Sequence, residues 1–262
     1  MPTSALHVAR TGLEAQDARM RVIANNLANV GTTGFKRDRA NFATLAYQDT
    51  RVAGQQSSNE TAYATGLNLG TGVSIQSTSR IDTQGTLQST GNALDLALDG
   101  DGFFQVTLPG GQLGYTRAGN FTRSSEGQLV TSLGYVLQPS ITIPEGATTI
   151  SVAADGTVSA TVADSAEPTT LGQITIASFV NPGGLRAAGD NFLLETGASG
   201  TAQIGIAGEN GRGRIRQGML EASNVNVVEE LVDLIECQRS YEINSKMISA
   251  VDEMLRNVNQ TL

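Results

Sequence analysis

Apolar residues recur every seven positions at both ends of the chain. Near the start they fall at Leu6, Leu13, Met20 and Leu27, with a second set displaced by three at Ala9, Ile23 and Val30, interrupted by Gln16. The stretch from Thr3 to Val30 contains no Pro and only Gly12, so the pattern predicts an amphipathic helix of about 28 residues, or roughly 42 Å. Thr3 or Ser4 can cap its start, and Gly31 and Gly34 stop it. Near the end the positions are Val227, Leu234, Tyr241, Ile248, Leu255 and Leu262, with Cys237, Val251 and Val258 as the displaced set and Asn244 as the polar interruption. No Gly or Pro breaks this run, which predicts a second helix of about 54 Å with Ser223 and Asn224 as its cap. Each helix carries a seam that must be covered.

Between them the periodicity changes. From about Thr71 to Gln217, short β-branched or alternating runs are punctuated by Gly, Asn and Pro: Val73 to Ile75, Leu94 to Leu98, Phe103 to Leu108, Gln128 to Thr131, Ile141 to Ile143, Thr149 to Val152, Gly156 to Val162 and Gly172 to Phe179. These predict strands and turns, with Asp155-Gly156 suited to a two-residue hairpin. The expected fold class is α+β, an antiparallel β-rich middle with terminal helices that pair with each other as a coiled coil. The expected boundaries are a first helix in 1–33, a connector in 34–70, a β domain in 71–217 and a second helix in 218–262. Tyr47 to Thr65 fits neither class and reads by itself as a long irregular loop.

Composition narrows the function. One Cys, one His and no Trp exclude a Cys/His metal cluster and confine any His-dependent triad to His7. Charged residues are 16% of the chain, against about 25% in a typical soluble protein, and the formal net charge is -8. A neutral polar exterior suits copies that pack on one another, and the negative balance opposes nucleic acid. No stretch approaches the length of a membrane span, and the first residues lack the pattern of a cleavable secretory signal.

The remaining chemical candidates are weak. Asp99 and Asp101 beside Gly100 and Gly102 resemble a carboxylate site, but Phe103-Phe104 follow at once and turn chemistry explains them better. Gly208 to Gly213 imitates a phosphate loop without its preceding strand or its Lys-Ser/Thr pair. Lys36, Arg37 and Arg39 suit a solvated turn or an intersubunit ion pair. Glu229, Glu230, Asp233 and Glu236 favour the positive end of a helix dipole and a surface salt-bridge face. No catalytic residue, metal or cofactor is expected.

Ala24-Asn25-Asn26-Leu27-Ala28-Asn29-Val30 followed by Thr33-Gly34-Phe35-Lys36-Arg37 resembles the N-terminal signature of bacterial flagellar rod and hook proteins. Gly218 to Val227, then Glu229-Glu230-Leu231-Val232 and Gln238 to Lys246, resembles that family's C-terminal helix. Gly100 to Val106, Tyr115 to Phe121 and Phe179 to Leu185 extend the likeness through the middle. Tyr47-Gln48 to Ala64, with Gln55-Gln56-Ser57-Ser58 at its centre, looks most like an added strip in the distal-rod branch, although no Pro occurs in it.

The resemblance implies a structural subunit and no enzyme. The terminal helices would pair in the inner tube with the β domain outside, and many copies would polymerise into a hollow drive shaft crossing the cell wall and the outer-membrane ring. Its partners would be itself, proximal rod and hook subunits at its ends, surrounding ring proteins and the flagellar type III export apparatus. Assembly would fall to Leu6, Leu13, Met20, Ile23, Asn25, Asn26, Leu27, Asn29, Gly34 and Phe35, and to Val227, Leu231, Leu234, Tyr241, Asn244, Ile248, Val251 and Leu255. The strip residues Tyr47, Gln48, Gln55, Gln56, Ser57 and Ser58 would stiffen the shaft. The alternatives are a proximal rod or hook subunit, a secreted β-rich glycan-acting enzyme, and a cytoplasmic coiled-coil adaptor.

Overall fold

An unbroken run without Pro gives a first helix, α1, at Pro2–Ala28, and a second, α2, at Val227–Thr261. The structure is a computed structural model of the 262-residue chain and describes residues 2–56, 63–162 and 167–261. The first helix stops short of Val30, which is exposed, because the chain turns at Asn29: Thr32 donates its backbone N–H to Asn29 O (3.1 Å) and its hydroxyl to Asn29 Oδ1 (3.1 Å). The cap of α2 is Asn226, whose Oδ1 accepts the N–H of Val228 at 3.1 Å. Ser223 and Asn224, expected as that cap, lie before it, and Asn224 is engaged elsewhere.

Two compact units result. The first comprises residues 1–27, 38–79 and 226–262; the second comprises 28–37 and 80–225. Strand Val73–Arg80 therefore falls largely with the helices, where it pairs with Asp38–Thr44. Tyr47–Arg51 pairs antiparallel with Leu67–Gly70. This hairpin replaces the irregular loop that the missing periodicity suggested. Alternation signals a buried face, and here both strands are exposed nearly throughout, so no alternation was needed.

The second unit is antiparallel β. Its main sheet runs in the order Arg186–Gly189, Phe192–Leu194, Leu113–Thr116, Phe103–Thr107, Thr175–Ser178 and Gln203–Ile206, with Leu137–Gln138 also paired to Phe103–Thr107. Successive side chains leave a strand on opposite faces, and Phe103 and Phe104 obey this. Phe104 enters the main core with Leu96, Leu98, Phe121, Ile174, Ile176 and Ile215, whereas Phe103 packs with Tyr115, Ala177 and Leu185. Phe104 meets Phe121 edge-on at 5.2 Å. A three-stranded sheet, Ala147–Val152, Thr157–Val162 and Thr169–Gln173, adds to the unit. Its first turn spans Ala153 to Gly156, with Gly156 at φ +89°, and is longer than the two-residue loop expected of Asp155-Gly156. Ile141 to Ile143, expected as a strand, contributes one bridge, Thr142 to Gln128, and two buried isoleucines.

Gly119 marks the tightest backbone approach. A Cβ there would lie 1.6 Å from Leu96 O, the carbonyl of a strand that is itself buried on both faces. Gly119→Ala must displace that strand, and we expect it to lower unfolding free energy by about 3 kcal/mol in urea titration. An unchanged midpoint would show that the strand yields freely.

Candidate functional site

Three groups of residues carry the features singled out in the sequence. The first is the contact between α1 and α2. Asn26 Nδ2 donates to both carboxylate oxygens of Glu230 at 3.2 Å, Arg19 pairs with Asp233 at 3.1 Å, and Cys237 Sγ donates to Gln16 O at 3.1 Å. Asn244 lies against Gly12, where a Cβ would meet its Nδ2 at 3.1 Å. Positions rising along one helix meet positions falling along the other, so the two helices pack antiparallel.

The contact differs from an apolar seam. The buried positions of α2 are Glu230, Cys237 and Val251, with Asn244 half-buried on the same seven-residue line, and α1 contributes buried Ala9, Ala15, Ile23 and Asn26. Val227, Leu231 and Tyr241 are exposed, while Leu6, Leu13, Met20, Leu27, Leu234 and Ile248 are half-buried. Small side chains at Gly12, Ala15 and Cys237 let the backbones approach, and Glu230, expected on a charged surface, is buried against Asn26. Asn26 also braces the turn after α1, accepting the N–H of Asp38 and donating to its carbonyl, both at 2.9 Å. Asn25 is exposed and Asn29 holds Thr32. The side chain of Leu255 lies outside the described residues. Burial raises the Cys237 thiol above its ordinary value, which keeps it protonated.

The second group is the hairpin. Tyr47, Gln48, Gln55 and Gln56 are all exposed, as are Val52, Leu67 and Leu69. Gly54 N–H bonds Tyr63 O at 2.8 Å, Tyr63 N–H bonds Gln55 O at 2.9 Å, and the Arg51 guanidinium lies 4.2 Å from the Tyr63 ring centre. Ser57 and Ser58 lie outside the described residues.

The third group surrounds Glu221, a residue that the sequence pattern did not single out as charged chemistry. Its carboxylate is fully buried between two cations: Oε1 accepts from Lys36 Nζ, and Oε2 faces Arg117 Nη1 at 3.3 Å. Gly85 N–H adds a bond to Oε1 at 2.9 Å, Lys36 also donates to Thr83 O at 2.7 Å, and Arg117 Nη2 donates to Gly100 O at 2.8 Å. Lys36 is thus buried, not part of a solvated turn. Gly34, at φ +68°, passes so close to Arg117 that a Cβ would lie 2.7 Å from its carbonyl carbon, and Phe35 is half-buried beside it in sequence. A neighbouring cleft of about 130 Å³ is lined by Lys36, Asp82, Asp101, Arg117 and Phe179 among others. Asp82 there pairs with Arg80 at 2.7 Å, and Asp101 is exposed. Asp99 pairs with Arg216 at 3.0 Å, and Gly208 to Gly213 closes as a turn through Gly208 N–H to Gly213 O. Among the described residues, no group of three or more His, Cys, Asp or Glu could hold a metal, and no helix is long and apolar enough to cross a membrane.

Burial holds the Lys36 ammonium below its ordinary pKa of 10.5, a loss that pairing with Glu221 only partly offsets. Between the depressed value and 10.5 the unfolded chain binds the extra proton, so this residue makes stability rise with pH across that interval. Lys36→Met should remove that rise. The measurement is the difference in unfolding free energy between parent and variant as pH rises toward 10.5, and a difference independent of pH would refute the assignment.

Residues 6–36 match the family described as "Flagella basal body rod protein", residues 97–160 that described as "Flagellar hook protein FlgE/F/G D1 domain", and residues 216–261 that described as "Flagellar basal body rod FlgEFG protein C-terminal". The chain is 50% identical over 255 residues to the flagellar basal-body rod protein FlgG of Buchnera aphidicola subsp. Acyrthosiphon pisum, covering 97% of this chain and 98% of that one. It is 48% identical over 257 residues to FlgG of Caulobacter vibrioides, covering 98% of each. FlgG of Bacillus subtilis is 38% identical over 97% of both chains. Likeness of this degree along nearly the full length means that the chain belongs to the flagellar basal-body rod proteins, a structural family and not one of enzymes.

Proposed function

We propose that the chain is the repeating subunit of the distal part of the flagellar rod, polymerising helically into a hollow shaft that carries torque from motor to hook. The observation that carries this is a second apolar stripe on α2. Val228, Val232 and Ile235 are exposed on the side away from the buried line Glu230, Cys237 and Val251, and Ile243, Met247 and Met254 are exposed further along the helix. A helix already packed on one side and apolar on the other needs further helices, and supplying them from copies in a contact that does not close on itself produces a filament.

In this account α1 and α2 pair as an antiparallel coiled coil in the inner tube, and Val227, Leu231 and Tyr241 meet neighbouring copies. The partners are further copies, proximal rod and hook subunits at the shaft's ends, the ring proteins around it and the flagellar type III export apparatus. The place of action is the rod where it crosses the periplasm. Relatives at 38% to 50% identity over almost their whole length are FlgG proteins, which favours the distal rod over a proximal rod or hook subunit.

Leu27, half-buried near the end of α1, tests the helical contact. Leu27→Asp sets a carboxylate against apolar neighbours in every copy, at about 3 kcal/mol each. We expect purified variant to stay monomeric at concentrations where the parent forms filaments under the electron microscope. Filaments of parental appearance would refute the role.

The hairpin is the stiffening element in this proposal. It offers exposed Tyr47, Val52, Leu67 and Leu69 together with neutral donors and acceptors at Gln48, Gln55 and Gln56, and an isolated two-stranded hairpin is marginally stable in water. Deleting 47–64 should leave the β unit folded and polymerisation intact while converting a straight shaft into a bent one. Basal bodies of the deletion strain as straight as the parent's would show that stiffness arises elsewhere.

A further inference from the structure

The chain passes between its two compact units four times, after Leu27, Arg37, Ser79 and Val225. Within the β unit these passages belong to three segments, 28–37, 80–86 and 219–225. All three are fastened to one another. Gly34 N–H bonds Glu221 O at 2.8 Å, and Arg37 N–H bonds Asn224 Oδ1 at 2.8 Å. Ile81 N–H bonds Arg37 O at 2.9 Å, and Ala222 N–H bonds Thr86 O at 2.9 Å. Asn224 Nδ2 then donates to Ile81 O at 2.8 Å and to Thr83 O at 3.0 Å, so one side-chain amide spans two of the segments. Glu221 reaches the same two through Lys36 and Gly85.

We propose that Glu221 and Asn224 form a clasp that joins all four passages into one anchorage, so that a force arriving along any one of them is shared by the others. Separate strands under load release their hydrogen bonds one after another, whereas strands tied to a common side chain must release together. The clasp is suited to all-or-none behaviour because opening it uncovers a carboxylate held between two buried cations, and partial opening strands those charges without partners. Its closeness is built into the backbone: a Cβ at Gly85 would lie 1.9 Å from Ala222 O. The inference deepens the shaft proposal, since a torque-carrying subunit must pass load between its parts, but the clasp belongs to the single chain and is testable without a polymer.

Backbone amide exchange, followed by mass spectrometry on the full-length protein, reads the clasp directly. In Asn224→Ala, which leaves no charge stranded, and in Glu221→Gln, the segments 34–37, 81–86 and 219–225 should lose protection together, by about tenfold, while 103–107 and 174–178 keep theirs. Faster exchange confined to 219–225 would reduce the contacts to local ones, and equal acceleration of the core strands would reduce them to general stability; either overturns the clasp. Should Glu221→Gln fail to fold, Asn224→Ala decides alone. Filament formation is scored separately, so a chain that never polymerises overturns the shaft proposal and leaves the exchange result standing.

Discussion

The carboxylate of Glu221 is the constraint around which the β unit's connections are arranged. Removing a carboxylate from water is tolerated only where charge and hydrogen bonds replace the solvent, and here Lys36, Arg117 and Gly85 do so at once. Those partners come from three stretches far apart in sequence. Gly34 and Gly85 lack side chains where the backbones must crowd, and Asn224, three residues beyond the carboxylate, completes the bonding of the same strands. A buried ion pair adds little net stability over an apolar equivalent, but it tolerates few alternative arrangements, and that selectivity is its use in a chain whose two ends must be brought to one place.

The helix pair follows the same logic with amides, a thiol and a carboxylate. Asn26 with Glu230, Gln16 with Cys237 and Gly12 with Asn244 meet in one register only, since a slip of one turn leaves a buried carboxylate facing an alkyl chain. Val228, Val232 and Ile235 of α2 lie on its other side. Register within the chain is therefore set by polar contacts, and the apolar area stays free for whatever lies beyond the chain.

Much of this was legible in the sequence. The seven-residue spacing placed both helices, and the alternating runs placed Leu96–Asp99, Phe103–Thr107, Ala147–Val152, Thr157–Val162 and Thr175–Ser178, but not Leu113–Thr116 or the strands from Arg186 onward. Spacing alone could not say which of two displaced sets faces inward: in α2 it is the set of Cys237 and Val251, because small and polar residues permit a close approach that Val227 and Tyr241 would block. The hairpin was hidden because a ribbon exposed on both faces has no apolar alternation. Lys36 and Glu221 were hidden for a deeper reason. A buried ion pair joins residues 185 positions apart, and the local pattern of each resembles an ordinary surface charge.

The hydrogen bond from Ile81 N–H to Arg37 O also holds together the two ends of the excursion that carries the hairpin. An excursion with its ends already joined behaves as a closed loop, in which each doubling of length adds only about 0.6 kcal/mol of closure entropy. Residues can be gained or lost within the hairpin without breaking that join. The chain thus has one place where its reach toward neighbours can vary over evolutionary time while the helices and the β unit stay as they are.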